Sequence, residues 1–376
     1  NGHPPPRYEV ESTGSAGEQV TLELRILPVH DRAERVIGFC AVIRDITAAL
    51  PPTPDPQSIA VSTVVVDRGG DLLRPFTTDG GRWRLPVTIA EVDRDFLDML
   101  LAYEDKNFPT HDGIDWLSLL RAAGQFTGAG GKVVSGGSTL TMQVARLIEQ
   151  EPTRNLAAKL RQMVHADLLE QNLSKDEILT LYLTLAPYGG NIEGIRAASL
   201  AYFGKEPLRL TTAESALLVA LPQSPEARRP DRDPAAARAA RDTVLDRMVI
   251  AGLIGPDEAD AAKSEPIPDG RRDFPTLAAH LAEQAVKAQP DVRRIDLTVD
   301  RRLQQALEKL GATRASQLGE HLSVAIVAAD IDTGNILASV GSAGLFASAS
   351  DGYVDMTTAV RSPGSTLKPL IYGLGF

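Results

Sequence analysis

The sequence predicts an α+β chain that is mainly α. From about residue 90, apolar residues recur at helical spacing in one segment after another; alternating runs precede them, and a strand pair with a last helical turn follows. At 376 residues there is room for about two or three domains, each with its own core. Hydrophobic residues make up 43% and charged residues 23%, the balance of an ordinary globular protein. The formal net charge of −10 argues against a nucleic-acid-binding surface over the whole chain.

Residues 20 to 46 alternate as VTLELRILPV and RVIGFCAVIRDI around the polar turn HDRAE, which predicts a β-hairpin. The run ends in Asp45, Ile46 and Thr47, and resembles the closing strands of a PAS sensor domain. Cys40 within it is the single cysteine, so an internal disulfide and a multi-cysteine zinc site are excluded. It reads as a small buried residue. PPTPDP at 51 to 56 is a Pro-rich linker, unable to continue a helix or a central strand. STVVVDR and DLLRPFTT then flank Gly69 and Gly70, a second hairpin signal.

The helical segments follow: EVDRDFLDMLLAYED, DWLSLLRAAGQFT, STLTMQVARLIEQ, NLAAKLRQMVHADLLEQN and SKDEILTLYLTLA. Ser174 and Glu177 form a capping box on the last of these. TTAESALLVAL and AAARAARDTVLDRMVIAG complete a predominantly helical region. RRPDRDP and EPIPDGRRDFP are loops, RRLQQALEKLGATRASQL is another helix, and SVAIVAADIDTGNILASVG reads as two strands around an Asp-Thr-Gly-Asn turn. No apolar run reaches the about 18 residues a membrane span needs. NGHPPPRYEV has neither the basic nor the apolar region of a signal peptide. A start at Asn1 and an end at Phe376 inside an apolar segment read as the ends of a piece of something longer.

The chemistry begins in LAYEDKNFPTHDGIDW, residues 101 to 116. Glu104 and Asp105 stand at a helix end with Phe108, His111 and Gly113 close behind. The stretch alone leaves three readings open: a charged helix C-terminus, a catalytic carboxylate with an environment-tuned pKa, or a metal site from Glu104, His111 and Asp115. The third lacks a spacing that would set its ligands on one helix face. Next, KVVSGGSTLTMQVARL puts a Gly pair and a Ser-Thr pair at a helix start, where free N–H groups suit an anionic or sugar ligand. Arg146 adds positive charge. Trp83 and Trp116 read as packing or interface residues rather than sugar platforms, and His165 as a surface or packing residue. SPEARRPDRDPAAARAARD reads as a solvated loop and helix. LDMLLAY and the segment after Trp116 are candidates for an apolar patch that dips into a bilayer.

Glu104-Asp105, Phe108, His111 and Gly113 resemble the first motif of the family 51 peptidoglycan glycosyltransferases, and Gly137-Ser138-Thr139-Leu140-Thr141-Met142-Gln143 resembles the second. The likeness continues through SKDEILTLYLTLAPYGGNIEGIRAASLAYFGKEPLRLTTAESALLVALPQSPEARRPDR, over about residues 60 to 265. Met142 before Gln143, and APYGGNIEG, are similar to the 1C type of class A penicillin-binding protein. This resemblance implies a lysozyme-like helical domain that polymerises lipid II into glycan strands, releasing undecaprenyl diphosphate. It implies Glu104 as general base, with Asp105, His111, Ser138, Thr139, Gln143, Arg146, Lys159 and Gln162 as substrate-binding residues. In the third motif the family's Arg falls on Ala158 and its Glu on Gln162. A glutamine holds no divalent metal strongly, so the resemblance leaves a metal cofactor open while this residue argues against one. The implied partners are lipid II, the nascent glycan, a membrane surface and other cell-wall synthesis proteins, at the periplasmic face of the bacterial inner membrane.

RSPGSTLKPLIYG sets Ser365 and Lys368 at i and i+3, on one helix face, where a lysine amine assists deprotonation of a serine nucleophile. The element matches the S-x-x-K of penicillin-binding proteins. The later S-x-N and K-T-G elements do not follow, so the chain is expected not to cross-link peptides. The implied organisation is a PAS-like piece at 1–50, a linker at 51–60, the glycosyltransferase domain at 61–265, a linker region at 266–294 and the first part of a transpeptidase domain at 295–376. Two rival functions stand beside it: a glycan-cleaving enzyme on the same scaffold, and a non-catalytic lipid II-binding or sensor piece.

Overall fold

The computed structural model describes residues 7–13, 19–30, 36–43, 50–116, 138–149, 156–319, 321–347, 351–360 and 362–375. Strands β1 (Arg7–Thr13), β2 (Gln19–His30) and β3 (Val36–Ile43) come first, then β4 (Val64–Val66), β5 (Leu72–Pro75) and β6 (Trp83–Arg84). Helices α1 (Arg94–Glu104), α2 (Leu140–Glu149), α3 (Leu156–Asn172) and α4 (Lys175–Leu185) follow. Short strands β7 (Pro187–Gly189) and β8 (Ile192–Glu193) lead into α5 (Ile195–Phe203), α6 (Thr212–Ala220), α7 (Pro234–Ala251) and α8 (Pro256–Ser264). Last come α9 (Ala279–Ala288), β9 (Arg294–Asp296), α10 (Arg301–Leu318), β10 (Ile326–Ala329), β11 (Ile336–Val340) and α11 (Lys368–Gly375). The chain is α+β and mainly α, as its periodicity predicts.

The fold groups into two units. One comprises residues 1–59, 87–190 and 206–269; the other comprises 60–86, 191–205 and 270–376. In the first, β1, β2 and β3 form an antiparallel sheet in that order. The predicted hairpin is β2–β3, and β1 adds a strand the sequence reading did not find. Asp45, Ile46 and Thr47 lie outside the described residues, as does the helix expected beyond Trp116.

Helix α1 starts where the Asp93 side chain accepts the Asp95 and Phe96 N–H groups. Its apolar face buries Phe96, Leu97, Met99 and Leu100, packed towards α6 and α7. Each such side chain contributes about 1.5–3 kcal/mol when fully buried. In LDMLLAY, Leu97, Met99 and Leu100 are thus core residues rather than a bilayer patch, while the segment after Trp116 lies outside the described residues. Helix α2 packs on α3 and α4, with Met142 against Met163, Ala166, Ile114 and Leu160. The capping box of Ser174 and Glu177 opens α4 as predicted, and Thr211 with Glu214 opens α6 the same way. His165 is fully buried, its Nδ1 2.7 Å from Glu149 Oε1.

In the second unit β5, β4 and β9 form a sheet in that order, with β4 antiparallel to β5 and parallel to β9. Val65, Leu73, Ile295 and Val299 form its core with Ala282 of α9. Strand β10 pairs antiparallel with β11, and α10 packs on that pair. Trp83 stacks on Phe274 with ring centroids 4.5 Å apart, the packing role its sequence suggested. Ser365 sits in a 3-10 turn, Gly364–Leu367, and Lys368 opens α11, so the pair spans a tighter turn than the α-helix expected; i and i+3 still align there.

Gly113 has φ +82°, and a Cβ there would lie 2.8 Å from the carbonyl carbon and oxygen of Ala166 in α3. Gly252 ends α7 with a similar φ of +75° and open space around it. Gly252→Ala should therefore lose only the left-handed penalty of about 1–2 kcal/mol. Gly113→Ala carries the same penalty plus a backbone collision, so urea unfolding should show the larger loss at Gly113. Equal losses would contradict the close approach.

Candidate active site

Glu104 is the last residue of α1, and Asp105 caps that helix end with its N–H on the Leu101 carbonyl. The two carboxylates then part company. Asp105 is buried; its Oδ2 accepts the Leu140 N–H at 2.8 Å and lies 2.9 Å from His111 Nε2. A carboxylate on the first N–H of a helix is favoured by both the free donor and the helix dipole. Thr139, also buried, donates from Oγ1 to the Gly113 carbonyl at 2.6 Å. These bonds fasten the loop 105–113 to the start of α2. Lys175 adds another tie, donating from Nζ to the His111 carbonyl at 2.6 Å and to Glu170 Oε1 at 2.7 Å, with Phe108 beneath it.

Fastened in this way, α2 turns Gln143 towards Glu104. Gln143 Nε2 donates to Glu104 Oε2 at 2.8 Å, and Gln223 Nε2 donates to Oε1 at 2.9 Å. Both residues line a cavity of about 240 Å³ with Glu104, Ser138, Arg146 and Gln162. Tyr103, Met142 and Arg247 complete the lining, and the Arg247 guanidinium lies 4.8 Å over the Tyr103 ring. Lys159 reaches this wall by donating to the Ser138 hydroxyl.

Protein surrounds Glu104 on most sides while the cavity leaves it reachable by solvent. Burial is the dominant effect and pushes its carboxyl above the usual glutamate range, opposed by the amide donors Gln143 and Gln223 and then by Arg146 and Arg247. Burial, and then Arg146, push the Lys159 ammonium below the usual lysine range. The site thus combines a carboxylate raised above its usual range with a set of cations, the makings of a base beside an anion-binding wall.

Of the residues singled out in the sequence, Glu104, Ser138, Gln143, Arg146 and Gln162 line one cavity, and Lys159 touches it through Ser138. Asp105, His111 and Thr139 do not line it; they hold the loop and helix that do. Gly137 lies outside the described residues. Gln223, Arg247 and Tyr103 were not singled out. Gln223 stands in LPQSPEARRP and Arg247 inside a charged helix, where nothing in the local pattern marks a site residue.

The metal reading of Glu104, His111 and Asp115 finds no common centre. Glu104 is held by two amides, His111 by Asp105, and Asp115 accepts from Asn107 at 2.8 Å. Among the described residues no three His, Cys, Asp or Glu side chains converge. A wall with one carboxylate and the cations Arg146 and Arg247 does not suit a divalent cation. Ser365 and Lys368 are both exposed on their turn in the second unit.

A transglycosylase family model matches residues 70–249. The chain is 43% identical over 312 residues to penicillin-binding protein 1C of Escherichia coli, covering 83% of this chain and 40% of that protein. It is 33% identical over 339 residues to penicillin-binding protein 1F of Bacillus subtilis, covering 83% of this chain and 45% of that one. It is also 36% identical over 181 residues to a protein of Cupriavidus necator provisionally named a transglycosylase, covering 48% of this chain and 78% of that protein. The chain spans less than half the length of these two penicillin-binding proteins. With the site built on the very segment that the family model matches, the chain belongs to the transglycosylase family.

Proposed function

We propose that the chain is a peptidoglycan glycosyltransferase that polymerises lipid II, with Glu104 as general base. The observation that carries this reading is the Glu104 carboxylate, raised by burial and gripped by two amide donors, in a cavity walled by Arg146 and Arg247. The 4-hydroxyl of an incoming lipid II attacks the anomeric carbon of the lipid-linked chain. The new C–O bond forms as the bond to the diphosphate breaks, and that electron pair leaves on the diphosphate oxygen. Glu104 takes the hydroxyl proton, a step that contributes roughly 10²–10⁴-fold in rate. Arg146 and Lys159 stand on the wall suited to the departing anion, since cations placed where charge develops act most strongly in a partly desolvated site.

Glycan cleavage fits less well. A hydrolase of this kind uses a pair of carboxylates, and Glu104 is the one acidic residue lining the cavity among the described residues. On the same reading, and by the likeness to penicillin-binding proteins, we infer that the reaction takes place at the periplasmic face of the bacterial inner membrane. No helix among the described residues is long and apolar enough to cross a membrane.

The test is polymerisation of labelled lipid II in detergent. Glu104→Gln should remove chain products, and wild-type kcat/KM should fall as pH drops through the raised Glu104 pKa, because only the ionised form accepts a proton. Equal products from both proteins would refute the assignment. In the second unit, Ser365 is exposed on a 3-10 turn and Lys368 on the helix that follows it. These 376 residues hold no S-x-N or K-T-G element after Ser365, so a fluorescent penicillin should leave no stable label on this chain. A label lost in Ser365→Ala would show that the turn is competent as it stands.

A further inference from the structure

The amide of Gln223 presents its NH₂ end to Glu104, although an amide's two ends are nearly equal in shape. Reversed, it would set its carbonyl oxygen against the Glu104 carboxylate and repel it. One further contact supports that sense. Arg228 Nη1 donates to Gln223 Oε1 at 3.3 Å, so the amide oxygen is engaged by a cation and the NH₂ faces the carboxylate.

The same Nη1 donates to the Ala220 carbonyl at 2.7 Å. Ala220 is the last residue of α6, where the helix leaves carbonyls without an N–H partner. Gln223 lies in the 3-10 turn Leu221–Gln223 that directly follows, and the Arg228 N–H closes back on the Ser224 carbonyl at 3.0 Å. Arg228 is thus held by the helix end and by its own loop, while its guanidinium reaches the amide. It does not line the cavity.

We infer that Arg228 is a positioning residue for the base: by fixing the sense of the Gln223 amide it keeps the second donor on Glu104, which holds that carboxylate oriented and ionised. The inference rests on the reading of Glu104 as base, and it assigns a function to the segment that the sequence presents as a solvated loop. Arg228 acts through Gln223, not through its own charge on Glu104: Arg146 and Arg247 are the cations that bear on that carboxyl. Losing a hydrogen bond to a charged group changes an equilibrium by about tenfold or more. The loss should appear as a shift of the acid limb, not as weaker substrate binding.

The experiment is the pH dependence of lipid II polymerisation by wild type, Arg228→Met, Arg228→Lys, Gln223→Leu and the Arg228→Met/Gln223→Leu double variant. Alongside it, the carboxyl carbon of Glu104 is titrated by NMR in protein ¹³C-labelled at Glu. Arg228→Met should move both the acid limb and the Glu104 titration to higher pH, lowering kcat about tenfold near the limb with KM little changed. Arg228→Lys should restore part of the shift, because its ammonium also donates to the amide oxygen. The double variant should be no worse than Gln223→Leu alone, since both remove one contact. An Arg228→Met enzyme that loses kcat with its acid limb and Glu104 titration unmoved would overturn the inference and leave Arg228 a cap on α6. Additive losses in the double variant would overturn it as well. Failure of the base reading looks different: Glu104→Gln would then keep the wild-type rate whatever Arg228 does.

Discussion

The site depends on one buried carboxylate that does not line the cavity. Asp105 accepts the Leu140 N–H at 2.8 Å and pairs with His111 at 2.9 Å, so one side chain joins the end of α1, the loop after it and the start of α2. A buried charge on a helix N-terminus is stable because free N–H groups and the helix dipole replace the water it loses. Once that joint is made, Gln143, one turn into α2, falls within hydrogen-bond reach of Glu104. Adjacent residues of the same chemistry thus divide the labour. Asp105 builds the frame, and Glu104 faces the cavity.

The balance on Glu104 follows from what surrounds it. A lysine or arginine bonded directly to the carboxylate would hold it ionised and lower its basicity. Two neutral amides orient it with a weaker effect on its pKa, and burial wins. Arg146 and Arg247, which line the same cavity, lower that pKa less than the amides do. Burial, and then Arg146, lower the Lys159 ammonium from its usual range, and an anion placed beside it would oppose both effects. Gln162 completes the lining without adding a second negative charge that would repel that group.

Much of this was legible in the residues. Helical spacing located α1, α2, α3, α4, α6, α7 and α10, and the capping box at Ser174 and Glu177 marked the start of α4. The motifs around Glu104 and Ser138 named most of the cavity wall. What escaped depends on contacts between distant residues. The parallel pairing of Val64–Val66 with Arg294–Asp296 crosses most of the chain, and a three-residue strand carries no period to detect. Helices α5 and α9 are short and rich in alanine, which blurs an amphipathic pattern. The resemblance implies Asp105 and Thr139 as substrate-binding residues; that their side chains also bond the frame beside the cavity is a matter of direction, which residue type does not show. Gln223 and Arg228 sit in a loop that composition alone marks as solvated.

The most direct measurement is the initial rate of lipid II polymerisation by Asp105→Ala, on protein whose far-UV spectrum matches wild type. If the Asp105 joint places Gln143 and Glu104 together, removing it should cut the rate at least about tenfold with Glu104 still present, because small misplacements of catalytic groups are costly. A wild-type rate in that variant would show that the base is positioned without the joint, and would contradict the account at its centre.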